Sequence, residues 1–169
     1  MPTLRDRTGV IPNEWLRLDS AAGAPDGVKM ILPWQEVMDL PEGVPGYMLG
    51  IHVSNGVEPA AIAALFHRVG LISVAFPGFA DGRGFSIARK LRALGFKGRL
   101  RAAGPVIADQ FEYLLACGFD EVETPEALDL RQPQPQWDRA LASVSLAYQQ
   151  GYAGRASIWE ARRAARDAR

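Results

Sequence analysis

Between about residues 45 and 125, short apolar runs alternate with stretches of helical periodicity. YMLGIHV precedes EPAAIAALFHRVG, LISVAFP precedes SIARKLRALG, GRLRAAG precedes PVIADQFEYLLACG, and DEVET closes the series. Ile62, Leu65, Phe66 and Val69 fall at i, i+3, i+4 and i+7, one apolar stripe of a helix facing a sheet. Ile87, Leu91 and Leu94 line a second such helix, and Ile107, Phe111, Leu114 and Leu115 a third. The pattern predicts a βαβαβαβ chain. Upstream, VKMILP followed by WQEVMDL adds a strand and a short helix, and WLRLDS adds a strand at the sheet edge.

Punctuation at the helix ends supports the division. Gly70, Gly95 and Gly118 each follow a helix, where positive φ closes the last turn. Pro59 and Pro105 suit first turns, and the Ser86 hydroxyl suits the cap of the middle helix. Right-handed crossovers place every strand-to-helix loop on one edge. Four or five units are fewer than a closed eight-unit barrel needs, so the expected class is α/β: a parallel open sheet or half-barrel-like arc of repeated βα units, followed by C-terminal helices.

The expected organisation is an α/β domain over 1–130 with its core repeats at about 28–125, a polar hinge RQPQPQ at 131–136, and a helical extension over 137–169. Trp137, Ala140, Leu141, Val144 and Tyr148 give that extension an apolar stripe to pack back on the domain. In SIWEARRAARDAR, Ser157 and Glu160 form a capping-box pattern. It has little to bury besides Ile158, Trp159 and alanine, so a solvated tail helix is the plainer expectation and a partner-docking helix the alternative.

Composition narrows the function classes. The 169 residues carry 19 Lys and Arg against 19 Asp and Glu, so no global field favours nucleic acid or an anionic membrane. The single cysteine, Cys117, rules out a disulfide framework, a CxxC pair or a thiolate cluster, and its place at a helix C-terminus is opposite the loops. MPTLRDRTGVIPNEW has no apolar signal-peptide run, and a cytoplasmic location is the expectation. Neither the dinucleotide fingerprint nor a P-loop is visible, and His52 and His67 lack metal-ligand spacing, so the metal expectation is none.

Ligands of parallel sheets bind at the carboxyl ends of the strands. Three loops gather there: HVSNG with His52, Ser54 and Asn55; PGFADGRGFS; and AGPVIADQ with Asp109 and Gln110. In the second loop, the Gly82 and Gly84 amides precede a helix N-terminus and Arg83 adds a guanidinium, which together suit a small oxyanion or phosphate group. Phe79, Ser86, Arg89, Gln110 and Asn55 complete the candidate ligand set, and Asp81, Asp109 and His52 are candidates for moving protons. The competing structural reading has Asp81 capping the turn or pairing with Arg83, with the glycines only permitting the bend. Arg101 and Glu123 on adjacent strands read most simply as two charges on a solvated sheet face, and otherwise as a buried pair.

FADGRGFSIARKLR and GRLRAAGPVIADQFEYLLACGFDEVE resemble the bacterial family numbered 934 among the domains of unknown function, most closely from Val74 to Glu123. The resemblance implies a role in assimilatory sulfite reduction, under the description of oxidoreductase, with sulfite reductase or another sulfur-assimilation protein as partner. Catalytic residues and cofactor are left unknown by it, and no flavin, nicotinamide or iron–sulfur motif is visible. An accessory role is therefore expected. The alternatives are an enzyme acting on a small oxyanion or phosphorylated metabolite and a non-catalytic interaction module.

Overall fold

The strands have two faces of opposite character, and that division organises the fold. The computed structural model describes residues 2–41, 43–143 and 166, with the Ser143 side chain excepted. Its strands are β1 (Thr3–Asp6), β2 (Gly9–Ile11), β3 (Trp15–Arg17), β4 (Lys29–Pro33), β5 (Leu49–Val53), β6 (Leu71–Ala75), β7 (Arg99–Ala103) and β8 (Glu121–Thr124). Between or after them lie α1 (Trp34–Asp39), α2 (Pro59–Ala63), α3 (Arg83–Ala93), α4 (Ala108–Ala116), α5 (Glu126–Asp129) and α6 (Gln134–Ser143). They form one sheet in the order β2-β1-β8-β7-β6-β5-β4-β3. The strands β3 to β8 run parallel in sequence order, as the repeated pattern predicts, while β1 pairs antiparallel with β8.

On the outer face Leu32, Ile51, Ile72, Val74, Leu100 and Val122 meet Ile62, Ile87, Leu91, Phe111 and Leu114 of the helices, all buried. Each such side chain contributes roughly 1.5–3 kcal/mol on leaving water, so this layer dominates the stability of the fold. The indole of Trp137 on α6 is fully buried edge-on against Phe111, and its Nε1 donates to the Gln132 carbonyl at 3.0 Å. Arg5 stacks over that indole at 4.7 Å and donates to Gln134, Thr124 and Asp129, tying the N-terminal strand to β8, α5 and α6.

The sheet is strongly curled into a half-barrel. Eight strands laid flat at about 4.8 Å spacing would separate β2 from β3 by roughly 34 Å. Only Pro12, Asn13 and Glu14 join them, and a chain of that length spans at most about 15 Å. Arg17 of β3 reaches Glu123 of β8 at 3.0 Å across the concave side, which a flat sheet would forbid. The link is a strap over the concave face, and Asn13 Oδ1 accepts a hydrogen bond from Arg101 of β7 at 3.1 Å. Gly50 makes room inside the curl, since a Cβ there would lie 3.2 Å from the ring of Trp15.

Several boundaries differ from the expected ones. The helix α3 begins at Arg83 with Gly82 at its N-cap, four residues earlier than a Ser86 cap would place it, so Ser86 lies inside it and is exposed; the Asp81 carboxylate accepts the Arg83 backbone N–H at 3.2 Å. Pro105 precedes α4 instead of opening it, because Gln110 Oε1 accepts from the Ile107 N–H and Gln132 Oε1 from the Ala108 N–H, satisfying the helix start further on. Gly95 and Gly118 have positive φ, but Gly70 does not. At Gly70 the constraint is space: a Cβ would sit 2.8 Å from the Gly46 carbonyl oxygen. The first repeat helix is only α2, yet Ile62, Leu65 and Val69 are buried as its stripe requires. The β1–β2 hairpin and α5 went unread, and α6 starts within the 131–136 segment. Val144, Tyr148 and the Ser157–Glu160 pattern lie outside the described residues.

Candidate functional site

The three loops expected at the carboxyl edge do meet there, and they lock onto one another. Asn55 Nδ2 donates to Asp81 Oδ2 at 2.6 Å, and Gln110 Nε2 donates to the Phe79 carbonyl at 2.7 Å. Asp81 also accepts from Arg83 Nε at 3.0 Å and from Arg83 Nη2 at 2.7 Å. These hydrogen bonds to Arg83, helped by that from Asn55, hold the Asp81 carboxyl well below the ordinary carboxylate range. The anion at the start of α3 is thus the protein's own carboxylate, the competing reading of this loop. Gly84 is dictated by packing: a Cβ there would fall 2.4 Å from the Phe76 ring. Gly82, Arg89 and Asp109 are exposed, and the first two belong to the N-cap and body of α3 and the third to the first turn of α4.

His52 is not part of this cluster. It stands on the concave face with Ser73, Arg101 and Glu121, its neighbours in register across β6, β7 and β8. Arg101 and Glu123, read as exposed, are a largely buried pair, with Arg101 only 1 % accessible and Glu121 beside it fully inaccessible. The strap and the curl close over that face, which the alternation of a single strand cannot foretell. Side chains on it form a chain of ion pairs: Arg17 to Glu123 at 3.0 Å, Glu123 to Arg101 at 3.0 Å, Arg101 to Glu121 at 2.7 Å and Glu121 to Arg99 at 2.7 Å. Three guanidiniums alternate with two carboxylates. The surplus positive charge therefore resides at the ends, with Arg17 at the carboxyl mouth and Arg99 at the opposite opening.

The mouth contains a cleft of about 290 Å³, lined by Arg17, His52, Ala75, Ala103, Gly104 and Glu123 among others. Among the described residues Arg17 uses only Nη2, donating to Ser73 Oγ at 3.2 Å and to Glu123. His52 Nδ1 lies 3.1 Å from the same Ser73 Oγ. Burial, and then the Arg17 charge, lower the His52 pKa from the ordinary imidazole value, with Glu123 acting in the opposite sense. A neutral imidazole and a guanidinium whose other donors are unused among the described residues therefore border an open cleft. Gly104 shapes its floor: at φ of 142° it lets β7 pass so close to Phe76 that a Cβ would lie 2.0 Å from that carbonyl oxygen.

Sequence reasoning missed Arg17, Ser73, Asn13 and Glu121. A signal for part of the set was present, because Arg99 and Arg101 on one strand and Glu121 and Glu123 on the next share one parity. Among the described residues, no group of three or more His, Cys, Asp and Glu side chains is arranged to hold a metal ion. No helix of the described residues is long and apolar enough to cross a membrane. Cys117 is buried at the end of α4, and burial pushes its thiol up, away from the reactive form.

A family model for a bacterial protein of unknown function, DUF934, matches residues 50–159. No curated protein and no solved structure matches the chain.

Proposed function

Since the chain belongs to the bacterial DUF934 family, we propose that it acts in sulfite reduction as an accessory protein that binds a small oxyanion of the sulfite class at the mouth of the curled sheet. The observation that carries this reading is the end of the ion-pair chain at the cleft, where Arg17 brings a charge that Glu123, shared with Arg101, does not fully offset. A guanidinium suits an oxyanion, with donors spread in one plane. His52, kept neutral by burial, borders the same space and can hydrogen-bond the ligand without adding a second full charge. The position also fits the habit of parallel α/β sheets, whose ligands meet the carboxyl ends of the strands. In this reading Asn55, Phe79, Asp81, Arg83 and Gln110 hold the ends of β5, β6 and β7 in place around the cleft. The link to sulfur assimilation rests on the family resemblance, and the natural partner is sulfite reductase or another protein of that pathway.

The test has two arms. Calorimetric titration with sulfite, sulfate and phosphate is expected to show binding by the wild type and a loss of about tenfold or more in Arg17→Ala, as one charge-assisted contact is worth roughly 1.5–3 kcal/mol. Cells lacking the gene are expected to grow poorly on sulfate and normally on cysteine. Unchanged sulfite affinity in Arg17→Ala would remove the site, and unaltered growth on sulfate would remove the pathway.

A further inference from the structure

The cleft that holds Arg17 also holds a carboxylate. Among the described residues, three ionisable side chains line it: Arg17, His52 and Glu123. Arg17 and Glu123 meet through Nη2 and Oε2 at 3.0 Å, and Oε2 also accepts from Arg101 Nη1 at 3.0 Å. That leaves Nε and Nη1 of Arg17, and Oε1 of Glu123, without a hydrogen-bond partner among the described residues. Oε1 is not sealed off: the Glu123 side chain borders the cleft and keeps 13 % of its surface, while the unpartnered polar atoms closed to solvent among the described residues are Arg101 Nη2 and Asp129 Oδ2. Neighbouring polar groups are already engaged. The Thr124 hydroxyl donates to Asp129 at 2.8 Å, and the Gly104 N–H donates to the Glu123 carbonyl at 3.0 Å. The cleft therefore brings spare guanidinium donors and one spare carboxylate oxygen to the same small space.

On the reading of the mouth as an oxyanion site, we propose that Glu123 sets its specificity: the cleft selects an oxyanion that still carries a proton, a protonated sulfite or phosphate, and discriminates against sulfate. An ionised carboxylate only accepts hydrogen bonds. A ligand O–H facing Oε1 gives it the hydrogen it lacks, while the bare oxygens of the same ligand take the Arg17 donors. Sulfate at neutral pH has no hydrogen left to give. It turns an oxygen lone pair toward the carboxylate, and a site built around a hydrogen bond rejects an analogue that cannot make it. Net charge runs the same way. Three guanidiniums against two carboxylates leave the ion-pair chain with one positive charge, which a monoanion neutralises and sulfate reverses.

Calorimetric titration of the full chain with phosphate and sulfate, alike in shape and different in their protons, is the test, with sulfite beside them. At neutral pH the wild type is expected to bind phosphate and sulfite about tenfold or more tightly than sulfate, the worth of one hydrogen bond to a charged group. Glu123→Gln, whose amide can donate to a bare oxygen, should bring sulfate close to phosphate. Losing the pairs with Arg17 and Arg101 changes every affinity, so the ratio is the readout. A second measurement needs no variant. At mildly alkaline pH, where free sulfite has mostly lost its proton, titration in buffers of different ionisation heat should show about one proton taken up per sulfite bound and none with sulfate. The sulfate control separates that proton from one taken up by His52. Sulfate bound as tightly as phosphate, an unchanged preference in folded Glu123→Gln, or sulfite binding without proton uptake overturns the proposal and leaves the oxyanion site standing. Absence of binding by all three anions removes the site itself, and its specificity with it.

Discussion

Arg101→Met should be among the most damaging single changes in the protein, although Arg101 touches none of the outer apolar layer. The guanidinium gives three hydrogen bonds, at 2.7 Å to Glu121, 3.0 Å to Glu123 and 3.1 Å to Asn13. Removing it leaves the fully buried Glu121 with, among the described residues, Arg99 as its one ion-pair partner, a side chain that is 56 % exposed, and frees the strap at Asn13. Breaking one side of a buried pair costs about 3–5 kcal/mol, because the remaining charge stays out of water without compensation. Against a total stability of roughly 5–15 kcal/mol this is a large fraction. With a urea slope of about 2 kcal/mol per molar, the unfolding midpoint should fall by about 1.5–2.5 M. The assay is urea denaturation of wild type, Arg101→Met, Glu121→Leu and the double variant. Each single change should cost several kcal/mol and the double far less than their sum, because replacing both partners by apolar groups removes the unpaired charge. A cost below about 1 kcal/mol for Arg101→Met, or simple additivity in the double variant, would refute the claim that these charges depend on one another.

Gly84→Ala should destabilise by about 1–3 kcal/mol, since its methyl meets the Phe76 ring, while Gly82→Ala, with only an ordinary 3.8 Å contact to Phe85, should be close to neutral; chemical denaturation of the two tells a packing role from a need for bare amides. Asp81 titrates below its ordinary value of 3.8, so its contribution to stability is present above about pH 4 and fades as the pH falls further; Asp81→Asn should flatten that acid limb, and an unchanged limb would count against the capping role. His52 is also depressed, so what its neutral state contributes is complete above about pH 6.5 and is lost below it. Arg17→Ala should raise the His52 pKa, as followed by NMR, because a repelling charge is removed; a fall would mean that Arg17 supports the imidazole in some other way.

The outer half of this architecture was legible in the sequence because helix periodicity and strand parity both report on one apolar layer. Ile62, Leu91, Phe111 and Val122 are apolar at intervals only a buried face requires, and all are buried. The concave face was harder to read because its strands carry charges that solvent or a neighbouring strand could equally satisfy. Arg101 gives no sign by itself that Glu121 is fully inaccessible beside it. The deciding information is the three-residue link from β2 to β3, which closes the curl only if those two short strands are recognised at opposite edges. WLRLDS reads as an edge strand and Trp15–Arg17 is one, but Gly9–Ile11 is too short to declare itself, and without it the link has no visible start.

The most conspicuous loop in the sequence is held by a local pairing of its own charges. PGFADGRGFS has the glycines, the guanidinium and the helix start that an anion would choose, but it brings its own carboxylate two residues ahead of the arginine. Asp81 fills that position and spends Arg83 on it. On the concave face the count runs the other way, since a chain of alternating charges with an arginine at both ends cannot neutralise itself internally. Adding a carboxylate to either end, or removing Arg17 or Arg99, would balance it. The chain therefore carries one surplus positive charge, and its two terminal guanidiniums, Arg17 and Arg99, each border an opening of the curled sheet.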